Sequence, residues 1–539
     1  MKNIINLKRR KFLLLLLAAV LIGILARVPG VWWGSNFPFG WYGHHPDEYT
    51  HALHAQLKIN PWRSSFKMDK SIGFRDPWAA GYGVTPYPVA MAMHIAIPHI
   101  GSRILTSTME FPPPPPGVII PQGRMVAVAY GIATIILVFF LTRYLFSNPW
   151  APPLAAWIMA LGGLHVTQSH FFLSDVPALF WFLLGLLFLW RDQSATEQNN
   201  SINLAIAALS LGAAFGMKLL FAGIPSLGLV ALLHKDRIWR VVLSMVFFLF
   251  GTFAVNAGMF TSADFYSVVF RGIADPFEFS ILASFLLYIA ELPSLISLPI
   301  FITSVFAIPL LAIKLLKTPD FFFKQRVFVI LILPIGLHFL AVLFVLDHFP
   351  RHLLPFIPIM IICSAWLIAK IVTRLSASSK IWAPLAIAPF FLYLAVFVYD
   401  GEKGFIDDPR NKAAQWLIDN VEKGTTVDWY YHSLKDYKPV GYPIQRPDYI
   451  IEEMHHANHY LSGMGLFNSM PKDYRKIFDS HNQKYVDARQ ALFTGAAGYR
   501  QVASFDEGYF MPEFTLTDKI IGNRSRNYLA EVVVFKRIE

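Results

Sequence analysis

Three short segments, far apart in the chain, combine carboxylates and permanent cations with histidine and aromatic side chains. The first, residues 43–49, contains His44, His45, Asp47 and Glu48. Pro46 fixes the backbone before Asp47, and a carboxylate held among rings can act as a general base. Adjacent acids are equally typical of a solvated loop, so the local pattern leaves both interpretations open.

The other two segments, residues 169–177 and 347–355, each place a charged side chain at the end of an apolar run. Asp175 precedes an apolar run and Pro177, which indicates either a helix cap or a second functional acid. Arg351 has the geometry to hold a phosphate, although an arginine at such an end can also reach out to the membrane surface. Lys218, between two apolar runs, is a further candidate phosphate-binding cation, or a lysine in a hydrated hairpin.

Metal binding stays open on the sequence alone. His44, His45 and His51 lie near Asp47, and His51 shares a helical face with Asp47 at a spacing of four residues. Histidines in such segments are more often interfacial than ligands, so we predict no certain cofactor and leave a divalent metal as an alternative. The single cysteine, Cys363, excludes a disulfide and a cysteine-based zinc site.

The composition predicts a membrane protein around these residues. Of 539 residues, 55% are hydrophobic and 15% charged, and the mean hydropathy is +0.46. Soluble chains carry about 25% charged residues. Apolar runs long enough to cross a bilayer recur to about residue 399. The net charge of +11 lies mostly in the short segments between these runs, where it indicates topology and not a nucleic-acid partner.

We predict about eleven transmembrane helices. They are placed near residues 12–29, 123–143, 150–166, 176–190, 202–217, 219–233, 240–258, 293–314, 327–346, 353–373 and 381–399. The first is interpreted as an uncleaved helix and not as a signal peptide.

The distribution of Lys and Arg predicts the orientation. With the N-terminus in the cytoplasm, most basic residues of the short loops lie inside, and the short external connections hold Lys218, Arg271 and Arg351. Asp47 and Asp175 then fall on that same external face. The first external loop, residues 30–122, is too long for a simple connector, and its tryptophans, Trp32 and Trp33 among them, suit an interfacial position.

The composition changes at Asp400, which predicts a transmembrane domain over residues 1–400 and a soluble domain over 401–539. In the tail, residues 409–423 indicate a helix that stops at Gly424. Residues 425–431, 448–452, 501–505 and 530–536 indicate strands. The fold class is therefore an α-helical polytopic membrane protein with a small C-terminal α/β or α+β domain. A recognition or packing role is the preferred interpretation of that domain.

The order of these pieces resembles the GT-C superfamily of membrane glycosyltransferases, most closely the family of protein O-mannosyltransferases and the lipid A aminoarabinose transferase. The matching pieces are residues 45–48, Gly123-Arg124, and residues 169–177, 216–218 and 351–355. The likeness covers residues 1–400 in pattern. Each piece is short, so their order and their shared membrane face carry the resemblance.

The resemblance implies an enzyme that moves a sugar from a polyprenyl-phosphate carrier to a protein, lipid or glycan acceptor outside the cytoplasm. It implies that Asp47 is the base, that Glu48 and Asp175 support it, and that Arg351 and Lys218 bind the carrier phosphate. A plasma or inner membrane location is expected, and the odd number of predicted spans places the C-terminal domain outside the cytoplasm. His352 stands where the family often has tyrosine, which puts details of the donor site in doubt.

Two functions from other classes compete with a glycosyltransferase. A secondary transporter would carry its polar site near the bilayer midplane and show paired repeats, whereas the candidate residues here lie at span ends without a convincing repeat. A non-catalytic membrane assembly protein would leave the large polar first loop unexplained. The sugar, the carrier length and the acceptor are not specified by the sequence.

Overall fold

The chain forms two compact units. The computed structural model describes residues 2–34, 48, 116–194, 201–218, 238–255, 281–318, 333–343, 350–378, 381–429, 438–439, 446–453, 487–488, 490–506, 508–517 and 531–538. The first unit takes its residues from 1–31, 50–274 and 295–398. Residues 401–539, predicted to form a separate domain, fall in the second unit with residues 32–49, 275–294 and 399–400.

Twelve described helices precede the C-terminal sheet region. Their bounds are α1 Lys2–Arg27, α2 Pro116–Leu145, α3 Ala151–Ala160, α4 Gly163–Ser169, α5 Asp175–Ser194, α6 Ser201–Met217, α7 Ile238–Val255, α8 Ile281–Ile296, α9 Leu298–Lys317, α10 Leu333–Val342, α11 Ile357–Ser378 and α12 Trp382–Glu402. Short 3-10 helices occupy Pro29–Trp32, Pro350–Phe356 and Lys403–Phe405.

Six stretches of the described chain are long and apolar enough to cross a membrane by length and composition. They are Lys11–Trp32, Ile120–Leu145, Ile238–Val255, Leu298–Lys317, Arg351–Ser378 and Pro384–Asn420, and α3 and α6 are shorter apolar helices. The predicted membrane class is confirmed. The number eleven stays a prediction, since residues 219–233, for example, lie outside the described residues.

Two of the predicted spans are wrong as continuous helices. Residues 150–166 are broken between α3 and α4, where Gly162 is extended. The backbone of Gly163 passes so close to its neighbours that a Cβ atom there would lie 2.8 Å from the Leu295 carbonyl oxygen. Residues 293–314 are broken at Ser297, whose φ of 81° ends α8 and lets α9 begin. The close contact at Gly163 is a tertiary one, and hydropathy reveals neither break.

Close backbone approach organises the packing of α5, α6 and α7 in the first unit. Helix α6 packs against both α5 and α7. A Cβ atom on Gly212 of α6 would lie 2.0 Å from the Phe248 carbonyl oxygen of α7. Small residues at such contacts let helices pack tightly where the hydrophobic effect cannot drive association. Helices α1, α2, α3 and α11 form the neighbouring group, with α9 against α11.

The second unit contains a five-stranded mixed sheet. Its strands are β1 Thr426–Trp429, β2 Lys438–Pro439, β3 Tyr449–Glu453, β4 Tyr499–Phe505 and β5 Val532–Arg537, and the helices are α13 Pro409–Asn420 and α14 Pro512–Thr517. The order is β2-β1-β3-β5-β4, with β2, β1 and β3 parallel and β5 antiparallel to β3 and β4. The predicted tail helix and four predicted strands are confirmed within a few residues.

Alternating side chains of β5 build both faces of this sheet. Val532 and Val534 pack on the cluster that includes Leu417 of α13, whereas Val533 and Phe535 pack on the opposite face. Because both faces are covered, every residue of β3 is buried. Gly424, the predicted stop of the helix, adopts a φ of 87° between α13 and β1, a backbone that glycine favours.

The structure shows the protein partners of Trp33, whereas its interfacial position stays a prediction. Its ring is buried in the second unit, and its indole nitrogen donates to Asp408 Oδ2 over 2.6 Å. The Arg410 guanidinium lies over the same ring at 5.0 Å. Burial alone would lower the pKa of Arg410, but the carboxylates of Asp408 and Glu453 raise it above its ordinary value. Arg410 is therefore a permanent cation that ties residue 33 to α13 and β3.

Candidate functional site

Asp175 and Lys218 form an ion pair at one end of the α5–α6 pair. The two helices are sequential neighbours that pack against each other. The N-terminus of α5 therefore meets the C-terminus of α6. The Lys218 ammonium donates to Asp175 Oδ1, and both side chains are largely buried. Within the described residues, the Asp175 carboxylate makes no hydrogen bond to the amides of its own first turn. It therefore acts on Lys218 and not as a helix cap.

Arg351 lies in a turn that contacts the same region. The Arg351 turn, the 3-10 helix Pro350–Phe356, contacts α4, α5, α10 and α11, and its arginine is 8% exposed. His338 Nε2 of α10 lies 2.9 Å from the His352 carbonyl oxygen, so Nε2 is the donor. The Lys218 charge lies close enough to act electrostatically on His338. A chain of polar neighbours thus connects Asp175 to the Arg351 turn.

Glycines of α2 and of the Pro29–Trp32 turn let the segment before Asp175 pack closely. A Cβ atom on Gly123 would lie 2.4 Å from the Phe172 ring, and one on Gly30 would lie 2.7 Å from the His170 ring. Next to Gly123, Arg124 is fully buried and donates to the Val31 carbonyl oxygen over 3.1 Å. Two separately noted sequence pieces, Gly123-Arg124 and residues 169–177, are therefore in direct contact.

Sequence reasoning missed Arg27, which is fully buried at the C-terminal end of α1. Its Nη1 donates to the carbonyl oxygens of Gly23 and Ala160 over 3.0 and 2.9 Å, and Nη2 donates to Met159 over 3.3 Å. Nη2 also lies 2.8 Å from His165 Nδ1. A guanidinium is always a donor, so His165 is neutral with its proton on Nε2. Arg27 thereby caps the carbonyl end of α3 and orients α4.

His338 was also missed. The sequence does contain a signal for both Arg27 and His338, namely a polar side chain within a predicted span. A polar side chain inside a predicted span is costly in lipid and normally faces the protein interior. His338 is such a residue in the predicted span 327–346, and Arg27 is one near the end of the first span. Neither has a recognisable motif around it. Backbone carbonyl oxygens are among the partners of both residues, and such partners cannot be found from residue types.

The remaining candidates are only partly described. Glu48 is fully buried and belongs to the second unit. Asp47, His44, His45 and His51 lie outside the described residues. In the part of the chain that is described, no three His, Cys, Asp or Glu side chains are grouped to hold a metal ion. The assignment of Asp47 as the base and the alternative of a divalent metal site therefore stay predictions.

Comparison with known proteins supports the resemblance. Residues 120–271 match the model of the family described as dolichyl-phosphate-mannose-protein mannosyltransferase. Both Asp175 and Lys218 lie within this match. No curated protein sequence matches the chain significantly.

The solved structures that are similar to the chain include those of two enzymes. The apo oligosaccharyltransferase of Archaeoglobus fulgidus is 12% identical, covers 98% of this chain and 88% of its own, and has a TM-score of 0.49. The structure of ArnT from Cupriavidus metallidurans bound to undecaprenyl phosphate is 14% identical, covers 76% and 72%, and has a TM-score of 0.40.

The described helices are those of a membrane protein, and the family match indicates that the class it is similar to is that of membrane glycosyltransferases. The family that it is similar to, over residues 120–271, is that of the dolichyl-phosphate-mannose-protein mannosyltransferases, as the resemblance implied.

Proposed function

We propose that this protein transfers a sugar from a polyprenyl-phosphate carrier to an acceptor hydroxyl on the extracytoplasmic side of the membrane, with inversion of the anomeric centre. The observation that carries the proposal is the buried Asp175–Lys218 pair beside the Arg351 turn. The family that matches residues 120–271 is named for a polyprenyl-linked donor and a protein acceptor. A lipid or a glycan remains an alternative acceptor.

The chemistry needs a base and a stabilised leaving group. The acceptor oxygen attacks the anomeric carbon while the bond from that carbon to the phosphate oxygen breaks, and the hydroxyl proton passes to Asp47. A general base contributes typically 10²–10⁴-fold. The phosphate leaves with its electron pair, and the developing charge is stabilised by Arg351 and Lys218. Attack from the opposite ring face in one step inverts the centre.

Asp175 has a supporting role in this scheme. Lys218 ends a helix in an apolar setting, where a lone ammonium would be poorly solvated and could rotate freely. The Asp175 carboxylate holds the ammonium in one place and lowers the cost of burying its charge. The ammonium has further N–H bonds with which to meet a phosphate oxygen. Glu48 is proposed to support Asp47, as the resemblance implies.

The test is donor consumption by the full-length protein in lipid vesicles that contain labelled polyprenyl-phosphate hexoses. The wild type should consume at least one donor, and Asp47→Asn should abolish this without loss of folded protein. Lys218→Met should reduce turnover at least tenfold, because it removes a cation from the leaving group. Consumption that survives Asp47→Asn would remove the assigned base.

A matched control distinguishes chemistry from stability. Arg240 pairs with the buried Asp192 of α5 over 2.5 Å, and the two side chains are 16% and 1% exposed, close to the 15% and 6% of the Lys218–Asp175 pair. Arg240→Met should therefore cost similar stability but leave turnover per folded molecule unchanged. Equal losses in Lys218→Met and Arg240→Met would contradict the proposal. Movement of a sugar-phosphate across the vesicle without bond cleavage would instead indicate a transporter.

A further inference from the structure

A second group of cations lies at the other end of α11 from the Arg351 turn. Lys314 of α9 and Lys370 of α11 both face the Trp366 ring, with their ammonium nitrogens 5.9 and 4.1 Å from its centroid. Lys314 and Arg374 act electrostatically on Lys370. We call Lys314, Trp366, Lys370 and Arg374 the Trp366 patch. Lys370 lies inside a predicted span, so the sequence did not single it out.

Among the described residues, no carboxylate neutralises the charges of the Trp366 patch. Lys314, Lys370 and Arg374 are exposed, and within the described residues none of them pairs with a carboxylate. Three like charges close together repel one another, and their attraction to one indole ring offsets only part of this. An anion bound between them would remove the repulsion.

The surroundings of the patch are those of a lipid site. Large apolar side chains of the same two helices are exposed beside the cations: Ile313 by 49%, Leu316 by 76% and Ile371 by 47%. A soluble anion would make no favourable contact with these apolar side chains, whereas the acyl chains of a lipid would cover them. The floor of the patch is rigid, since Trp366 is buried against Phe146, with ring centroids 6.0 Å apart.

The turn before α3 adds to this rigidity. Asn148 Nδ2 donates to the Ala369 carbonyl oxygen over 3.2 Å and to Thr373 Oγ1 over 3.1 Å. These bonds fix the last turns of α11, which carry Lys370 and Arg374. Preformed cations lose little conformational freedom when an anion binds, so the site favours binding.

We propose that the Trp366 patch binds the phosphate headgroup of an anionic phospholipid in the leaflet opposite the Arg351 turn. Arg351–Ser378 is long and apolar enough to cross a membrane, and the Trp366 patch lies towards its C-terminal end, so the two sites lie towards opposite membrane surfaces. The acyl chains of this lipid lie along the exposed apolar faces of α9 and α11. The proposal is independent of sugar transfer.

The test is native mass spectrometry of the detergent-purified full-length protein, titrated with phosphatidylglycerol or with phosphatidylcholine of the same acyl chains. The wild type should prefer phosphatidylglycerol. Lys314→Gln with Lys370→Gln should weaken its binding by roughly 25-fold, since each basic residue near an anionic lipid surface contributes about fivefold. Lys314→Arg with Lys370→Arg should keep the preference.

Arg191→Gln is the matched control. Arg191 also lies at a helix C-terminus over an aromatic ring, 5.3 Å from the centroid of Phe188, but it is a single cation in that contact. It should leave the lipid preference unchanged. Equal affinity of the wild type for both lipids, or a retained preference in the double glutamine variant with an unchanged melting temperature, overturns the proposal. So does displacement of the lipid by millimolar inorganic phosphate, which would indicate a site for a soluble anion.

Discussion

Asp175 and Lys218 are best treated as one electrostatic unit, because the charge of each compensates the buried charge of the other. Removal of one partner from a buried pair leaves an uncompensated charge, at a cost of about 3–5 kcal/mol, whereas removal of both partners costs less. Stability and turnover should therefore respond differently to single and double substitution.

The double-mutant cycle gives the first prediction. Asp175→Asn should lower the free energy of unfolding by a few kcal/mol, and adding Lys218→Met should restore a large part of it. Turnover should not recover, since the double variant lacks the cation that meets the phosphate. The measurements are thermal unfolding and donor consumption of the four proteins of the cycle. Recovery of turnover together with stability would show that the pair is only structural.

At this scale the sequence predicted a set of candidate residues but not the contacts that they make. Asp175, Lys218 and Arg351 were predicted to share one membrane face, and the structure brings them into one group of contacting elements. Their pairing depends on which helix ends meet, which residue types do not encode. His338 was missed for the same reason, because its partner is a backbone carbonyl.

At the scale of elements, the close contact of α6 with α7 depends on Gly212, which has no side chain. Gly212→Ala places a methyl group where the Phe248 carbonyl oxygen already lies, so the helices must separate. We predict a clear fall in melting temperature, on the order of 2 kcal/mol of stability. Thermal unfolding of the purified protein measures this.

Gly336 of α10 is the control, since a Cβ atom there would meet nothing within 4 Å. Gly336→Ala should be neutral, or stabilising by up to about 1 kcal/mol from helix propensity. Equal effects of the two substitutions would mean that propensity, and not the close contact of α6 with α7, decides the stability.

The β-strand at residues 449–453 gives a prediction that depends on pH. The Thr426 hydroxyl donates to Asp448, burial opposes this effect, and Arg537 adds a further attraction, so the pKa of Asp448 is held below its ordinary value. A lowered folded-state pKa stabilises the sheet above about pH 4 and loses this effect as the pH falls through the folded-state value. Asp448→Asn should remove this dependence.

Hydrogen exchange of β1 and β3 in the full-length protein, corrected for intrinsic rates, measures the effect. Protection should fall in acid in the wild type and stay flat in Asp448→Asn. The same acid-dependent loss in the variant would assign it to another group.

Elements differ in how well the sequence predicted them. The strands around Val427 and Val533 were found because runs of β-branched residues stand between polar turns, a local signal. The helix breaks at Gly162 and Ser297 were missed because the flanking residues are apolar on both sides. Hydropathy does not distinguish a segment buried in lipid from one buried in protein. It also does not indicate where two backbone segments come into close contact.

At the scale of the whole molecule, the orientation in the membrane is the main prediction. The charge distribution places the end of α11 in the cytoplasm and α13 outside. In a Cys363→Ala background, Glu422→Cys should react with a membrane-impermeant maleimide added to intact cells. Ser378→Cys should react only after the membrane is opened. Both positions are exposed in the structure. The reverse pattern would place the proposed sugar transfer on the cytoplasmic side.

The position of Arg27 also makes the packing of α1 depend on a part of the chain that is synthesised later. The carbonyl oxygen of Ala160 that receives its guanidinium lies 133 residues further along. Until those residues are present, the guanidinium lacks the carbonyl oxygens of α3, and burial of its charge in lipid would be costly. The end of α1 and helix α3 therefore depend on each other to reach their final packing.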